Sequence, residues 1–195
     1  MNPVTLDPLV SPVSTQELAD YLRLDDNSDP VLQMMIDDAS DMIMRYIGYD
    51  ISTEPREWTL TLQDWPYTGT RSNVSIGRLG SYANHQVPLL YAALIGVVEV
   101  LLSGELVTAD HYKVISEPAS ICLNPTYFTK QCDDPAIVVK YTAGMPQPPS
   151  AIKSAVIKVA AYLYEHRGLC TPEDALNSVG AKNSLAAYRN PLVMI

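Results

Sequence analysis

The sequence predicts an α+β protein with a mainly α-helical core, an N-terminal helix pair plus a long C-terminal helix, carrying a small antiparallel β-sheet insertion. Three observations carry this expectation. Apolar residues recur at three- and four-residue steps over residues 30–47 and again over 149–167. Between those stretches, from Arg56 onward, the apolar period falls to two. The 195-residue chain is 47% hydrophobic and only 18% charged, enough apolar surface to close a core and to exclude wholesale disorder. Pro supplies 15 of the 195 residues, against a usual ~5%, so many turns and irregular connections are expected.

Ser14-Thr15-Gln16-Glu17 has the S-x-x-E form of a capping box, and Leu18, Tyr21 and Leu22 follow at helical spacing, which predicts a short helix over 15–24. Asp25-Asp26-Asn27-Ser28 breaks it. Asp29 before Pro30 is a good N-cap followed by a good first-turn residue. Leu32, Met35, Ile36, Ala39, Ile43, Tyr46 and Ile47 then form the stripe of a second helix ending at Gly48. Asp37, Asp38 and Asp41 lie off that stripe, and Asp41 can pair with Arg45 one turn on.

From Arg56, Trp58, Leu60 and Leu62 alternate with Glu57, Thr59 and Thr61 as in a half-buried strand. Residues 63–86 are rich in turn formers and predict a long exposed loop or loose hairpin. The most apolar stretch, 87–102, is interrupted by Pro88 and Glu99 and falls short of the ~20 residues a spanning helix needs; it reads as buried strand, with no membrane association. Two or three strands are expected over 88–115, joined at Ser103-Gly104, with Asp110 to Val114 alternating. After a Pro-punctuated connection, 136–141 forms another strand, closed by Ala143-Gly144.

Pro149 opens the strongest helix of the C-terminal half. Ile152, Val156, Val159 and Leu163 lie on one face, Ala155, Tyr162 and His166 beside them, and Gly168 is the stop. Apolar over much of its circumference, it belongs at the centre of a domain or between subunits. Thr171-Pro172-Glu173-Asp174 starts a further short turn and Ser184 to Arg189 a last one, before Asn190-Pro191 ends regular structure. Leu192-Val193-Met194-Ile195 is an apolar tail of the kind that seeks a groove. One domain over 1–195 is expected, divided into an acidic helix pair (13–50), a β-rich insertion (56–142), C-terminal helices (149–190) and the tail (191–195).

Charge narrows the function classes. Lys and Arg total 13 against 22 Asp and Glu, a formal charge of −9, and no long basic stretch exists. A general binder of phosphate backbone needs the opposite balance. Residues 1–50 hold ten acids and two bases, net −8, and the other 145 residues are close to neutral. Such polarisation presents a negative face to whatever lies opposite.

Candidate chemistry is sparse. Asp25-x-Asn27-x-Asp29 resembles the first half of a calcium loop, but Pro30 stands where the sharp turn needs Gly and Ile36 where the bidentate Glu belongs, so an Asx-rich turn accounts for the same residues. His85, His111 and His166 sit in no ligand or triad motif, and no Gly-rich phosphate loop occurs. Asp37-Asp38 and Asp133-Asp134 could hold a divalent cation, yet adjacent helical residues point about 100° apart and do not converge unaided. Cys122, Cys132 and Cys170 are odd in number, lack a C-x-x-C pair and read as free thiols. Tyrosines such as Tyr21, Tyr46, Tyr141, Tyr162, Tyr164 and Tyr188 suit core margins or interfaces. No catalytic residue, metal ligand or cofactor is assigned. The N-terminus lacks a basic n-region and an apolar run, so synthesis in the cytoplasm is expected.

The order of these elements resembles the head-tail connector (neck adaptor) family of tailed bacteriophages. The resemblance runs over residues 13–190. It rests on the acidic helical pair, the strand at Trp58, Val139-Lys140-Tyr141-Thr142-Ala143-Gly144, Pro149-Ser150-Ala151-Ile152-Lys153-Ser154-Ala155, Tyr164-Glu165-His166-Arg167 and Leu185-Ala186-Ala187-Tyr188-Arg189. The stretch 63–102 has no matching short motif. The resemblance implies a non-enzymatic virion protein, made in the host cytoplasm and assembled at the neck as a homo-oligomeric, twelve-fold ring. The ring would join the portal of the DNA-filled head to the next neck or tail protein, and DNA would pass through it without specific binding. It also implies a portal-docking segment at Tyr188, Arg189, Asn190, Pro191, Leu192, Val193, Met194 and Ile195. The acidic excess suits a DNA conduit, with Asp37, Asp38 and Asp41 expected to face the channel. Two alternatives stay open: another joining part, such as a stopper or tail-completion protein, and a metal-dependent hydrolase built on the same three aspartates.

Overall fold

The computed structural model describes residues 4–62, 86–91, 93–116, 119–123, 137–167 and 169–190. The chain forms two compact units. One joins Pro8–Pro55 to Gly144–Asn190 and holds the helices; the other is built on Arg56–Ala143, with the N-terminal residues through Asp7, and holds the sheets.

In the helical unit, α1 (Thr15–Leu22) starts as its sequence dictates. Ser14 Oγ accepts the Glu17 N–H at 3.2 Å and Glu17 Oε2 accepts the Ser14 N–H at 2.8 Å, a reciprocal capping box. The bond its carboxylate accepts from the Ser14 N–H, helped by one from the Ser14 hydroxyl, holds Glu17 below its ordinary range against the opposing effect of burial. Leu18 and Ala19 are the buried face. Helix α2 (Pro30–Ile47) begins at Asp29, whose Oδ1 accepts the Val31 N–H at 2.9 Å, and ends at Gly48, left-handed at φ 73° and donating to Met44 O. Its stripe of Leu32, Ile36, Ala39, Ile43 and Ile47 is fully buried.

Helix α3 (Ser150–Glu165) is the hub: α1, α2, α4 (Pro172–Ser178) and α5 (Ala181–Leu185) all pack against it. Its Ile152, Val156, Val159 and Ala160 are sealed from solvent, each large aliphatic contributing about 1.5–3 kcal/mol of burial. A Thr171–Asp174 capping box starts α4, and a 3-10 turn at Ala186–Tyr188 follows α5.

The β unit contains β1 (Arg56–Leu62), β2 (Gln86–Pro88), β3 (Leu94–Leu102), β4 (Glu105–Leu106), β5 (Tyr112–Ile115), β6 (Ser120–Leu123) and β7 (Ile137–Ala143). They form two antiparallel sheets, one in the order β1-β7-β3-β4 and one in the order β2-β6-β5. Strand β7 is central, paired on both sides. Trp58, Leu60 and Leu62 stand opposite Tyr141, Val139 and Ile137, all on the buried face. That pattern pins the register, because a slip of one residue would turn both rows into water. The Tyr141 hydroxyl donates to Leu90 O, giving this buried phenol its partner. Trp58 stacks on Tyr91 at 5.2 Å, and the Arg56 guanidinium lies 5.0 Å from the Trp58 ring. On the other face, Lys140 bridges to Glu99 at 2.7 Å across the β7–β3 pair.

This architecture corrects the fold class read from the sequence. The described residues form five α-helices and seven strands in two sheets, not a mainly helical core with a small sheet insertion. The β content was underestimated for two local reasons. Strand β6 lies in a stretch read as an irregular Pro-punctuated connection, yet it is the centre of the second sheet. The 87–102 stretch is not one buried strand: it splits into β2 and β3, which belong to different sheets. In β3, register shifts at Ile95 and Val98 break the alternation, and both side chains are exposed. Asp110 and His111, read as part of the alternating strand, lie instead in a 3-10 turn over Ala109–His111 that leads into β5. The loop expected at 63–86 lies outside the described residues up to 85, and Gln86 opens β2.

Candidate interaction surfaces

The three aspartates singled out from the sequence lie on α2, off its buried stripe. Asp37 and Asp38 are exposed and Asp41 is half-buried. Gln33 Nε2 donates to Asp37 Oδ1 at 2.7 Å, and Arg45 pairs with Asp41 at 2.8 Å, one helical turn away. They do not form a cage. Among the described residues no group of three or more His, Cys, Asp or Glu is arranged to hold a metal ion.

The turn between α1 and α2 spends its polar groups internally. Asp26 accepts from both Ser28 N–H and Ser28 Oγ, and these bonds, the hydroxyl's first, hold its carboxyl below the ordinary range. Asn27 Nδ2 donates to Gln16 Oε1 at 2.8 Å. Asp29, besides capping α2, takes the Tyr164 hydroxyl at 3.3 Å and Arg167 Nη2 at 3.4 Å on Oδ2. Arg167 also lies 3.8 Å from the Tyr164 ring. The Tyr164-to-Arg167 motif thus locks the end of α3 to the start of α2, a pairing across 138 residues that local sequence could not announce.

The segment 188–195, expected from the sequence to dock on a portal, divides in the structure. Tyr188 is exposed. Arg189 is half-buried, its guanidinium 4.9 Å from the Tyr46 ring. Asn190 is buried: its N–H donates to Ile47 O at 2.7 Å and its Nδ2 to Gly48 O at 3.4 Å. Asn190 therefore closes the C-terminal carbonyls of α2, groups that a helix end must satisfy somehow, and fixes where the chain leaves the helical unit. Pro191, Leu192, Val193, Met194 and Ile195 lie outside the described residues.

Sequence reasoning missed a second feature around Tyr46. Its hydroxyl donates to Lys182 O at 3.2 Å, and the Lys182 ammonium lies 5.8 Å from the same ring that carries Arg189. Of the other residues singled out, Cys122 on β6 and Cys170 are half-buried, the Cys170 thiol donating to His166 O at 3.7 Å, and Cys132 and His85 lie outside the described residues. His166 stacks on Tyr162 at 4.0 Å at the end of α3. Among the described residues no helix is long and apolar enough to cross a membrane.

These units define a class: a helical bundle interrupted in sequence by a pair of antiparallel sheets, with polar and charged surface features and no metal cluster among the described residues. Solved structures share that fold over nearly the whole chain. They include a chain from the neck of an empty gene transfer agent particle with C6 symmetry, TM-score 0.65, and one from the neck of the native particle with C12 symmetry, TM-score 0.64. Each is 16% identical and aligned over 97% of this chain and 96% of the other. The likeness to head-tail neck proteins expected from the sequence is thus present in the fold. No protein-family model matches the chain, and no curated protein matches it.

Proposed function

We propose that this protein is a structural subunit of the neck of a tailed-phage or phage-like particle, forming a homo-oligomeric ring that joins the portal to the tail side and extends the DNA channel. The observation that carries the reading is the agreement in fold, end to end, with chains of neck assemblies of C6 and C12 symmetry. Closed cyclic symmetry lets one small subunit satisfy all its head-to-tail contacts. The acidic excess fits a conduit that duplex DNA must traverse without sticking. In this reading Asp37, Asp38 and Asp41 face the channel, and the segment beyond Asn190, with Tyr188 at its base, reaches the portal while Asn190 anchors it.

The test is assembly with the cognate portal, followed by light scattering and negative-stain microscopy. A ring coaxial with the portal is the expected result. A protein that stays monomeric with and without portal, or that attaches only to tail-tube protein, overturns it, the latter in favour of a tail-completion role.

A further inference from the structure

Two half-buried cations of the helical unit, Lys182 and Arg189, meet no carboxylate among the described residues, whereas the exposed Arg45 and Arg167 do. Arg167 pairs with Asp29 and Arg45 with Asp41. Among the described residues neither Lys182 nor Arg189 meets a carboxylate, yet both are gathered on one ring, Tyr46, from α5 and from beyond the 3-10 turn. Arg189 Nε is buried with no hydrogen-bond partner. Two like charges held on one aromatic ring in a chain of charge −9 are a standing electrostatic imbalance, and their geometry is already fixed by stacking. Among the described residues, what they lack is an anion.

The same unit carries the complement at the far end of α2. That helix has 18 residues, about 27 Å long. Tyr46 lies in its last turn, and before its first turn stand the exposed carboxylates of Asp25 and Asp26, with Asp20 exposed on α1 nearby. The bases at that end are Arg23 and Arg167, and Arg167 is committed to Asp29. Opposite charges at the two ends of one helix cannot neutralise each other within a chain, but they can between successive copies of it.

We infer that the Lys182–Arg189–Tyr46 cluster is one half of the contact between neighbouring copies of this chain, receiving the Asp25–Asp26 turn of the next copy. The inference rests on the ring reading above and adds its polarity and residues. The cations come pre-organised, so their pairing costs little further side-chain ordering, and a one-way contact of this kind propagates around a ring rather than closing a dimer.

Charge reversal tests it, with oligomer mass read by native mass spectrometry and fold checked by circular dichroism. K182E/R189E alone and D25K/D26K alone should each lose the ring, or require at least tenfold more protein to form it. Mixed in equal amounts they should regain it, because an alternating ring has a native contact at one junction and a swapped pair at the next. Because D26K removes the two bonds that Asp26 accepts from Ser28, D25K alone is the second variant: Asp25 is exposed, and its reversal should also raise the protein concentration that the ring requires. Rings that survive both reversals, or a mixture that fails to recover, overturn the contact while leaving the ring intact as a proposal. A wild-type protein that forms no ring, alone or on portal, overturns the ring reading itself.

Discussion

Cutting the chain one residue earlier or later separates anchoring from docking. Ending it after Asn190 removes residues 191–195 and leaves both bonds from Asn190 to the end of α2. Ending it after Arg189 strands the Ile47 and Gly48 carbonyls, which Asn190 meets at 2.7 and 3.4 Å. The shorter bond has good geometry, the longer is weak. Losing the first costs about 0.5–1.5 kcal/mol net, and a buried carbonyl left unmet adds about 1–3 kcal/mol. Together they predict about 2–4 kcal/mol, with water entering the opened helix end favouring the lower figure. For a chain of this size that is a drop of about 5–15 °C in melting temperature. Thermal and urea unfolding followed at 222 nm, beside a portal pull-down, read both effects. The longer truncation product should melt like the full chain and lose portal attachment; the shorter should lose both. Equal stability of the two products would refute the anchoring role of Asn190, and undiminished attachment of the longer one would remove the tail from docking.

Other perturbations have equally definite outcomes. Glu17, Asp26 and Asp174 all have carboxyl pKa values lowered by capping or turn hydrogen bonds. A lowered folded-state value gives stability that is present above the unfolded value, near pH 4, and lost as pH falls through the folded one. The urea midpoint should therefore decline below about pH 4, and E17Q/D174N should flatten that decline; an unchanged slope would show that these caps do not govern acid sensitivity. Replacing Ile36 or Ile152 by Ala opens the contact between α2 and α3 and should cost about 2–5 kcal/mol, read by the same unfolding assay. A Cβ on Gly144 would meet Glu54 O at 3.1 Å and the Pro55 Cα at 3.3 Å, so G144A should destabilise by at least about 1 kcal/mol, and a neutral result would mean the 52–55 backbone yields. D37K/D38K/D41K should leave the melting temperature within a few degrees, because an exposed pair such as Asp41–Arg45 contributes under about 1 kcal/mol. It should also slow DNA ejection from assembled particles, and normal ejection would turn these acids away from the channel.

What the sequence made legible was local. Capping signals at Ser14, Asp29 and Thr171 and the stop at Gly48 mark real helix ends, since each acts through neighbours two to four residues away. The strand at Trp58 followed from clean alternation on a half-buried sheet, and β7 from the β-branched run within 136–141 closed by Ala143-Gly144, although it runs on to Ala143. Strand β3 defeated that rule because its irregularities at Ile95 and Val98 each shift the period by one. Strand β6, four residues long, was hidden among turn formers. Of the candidate surfaces, the acidic face of α2 was readable from helical geometry. The Tyr46 cluster and the Asn190 anchor were not, because they join residues more than 130 positions apart, and no periodicity carries such a separation.

The interleaving of the two units bears on biosynthesis. Helices α1 and α2 are complete by Ile47, but their partner α3 starts only at Ser150. At about 5–20 residues per second on the ribosome, the apolar stripe of α2 waits several seconds or longer for its cover, while the whole β segment emerges. That segment is contiguous, and its central strand β7 is the last to appear, immediately before α3. Completion of the sheet and delivery of α3 are thus consecutive events on the ribosome, and a stall anywhere between 48 and 149 would leave a sticky helix pair for chaperones to hold.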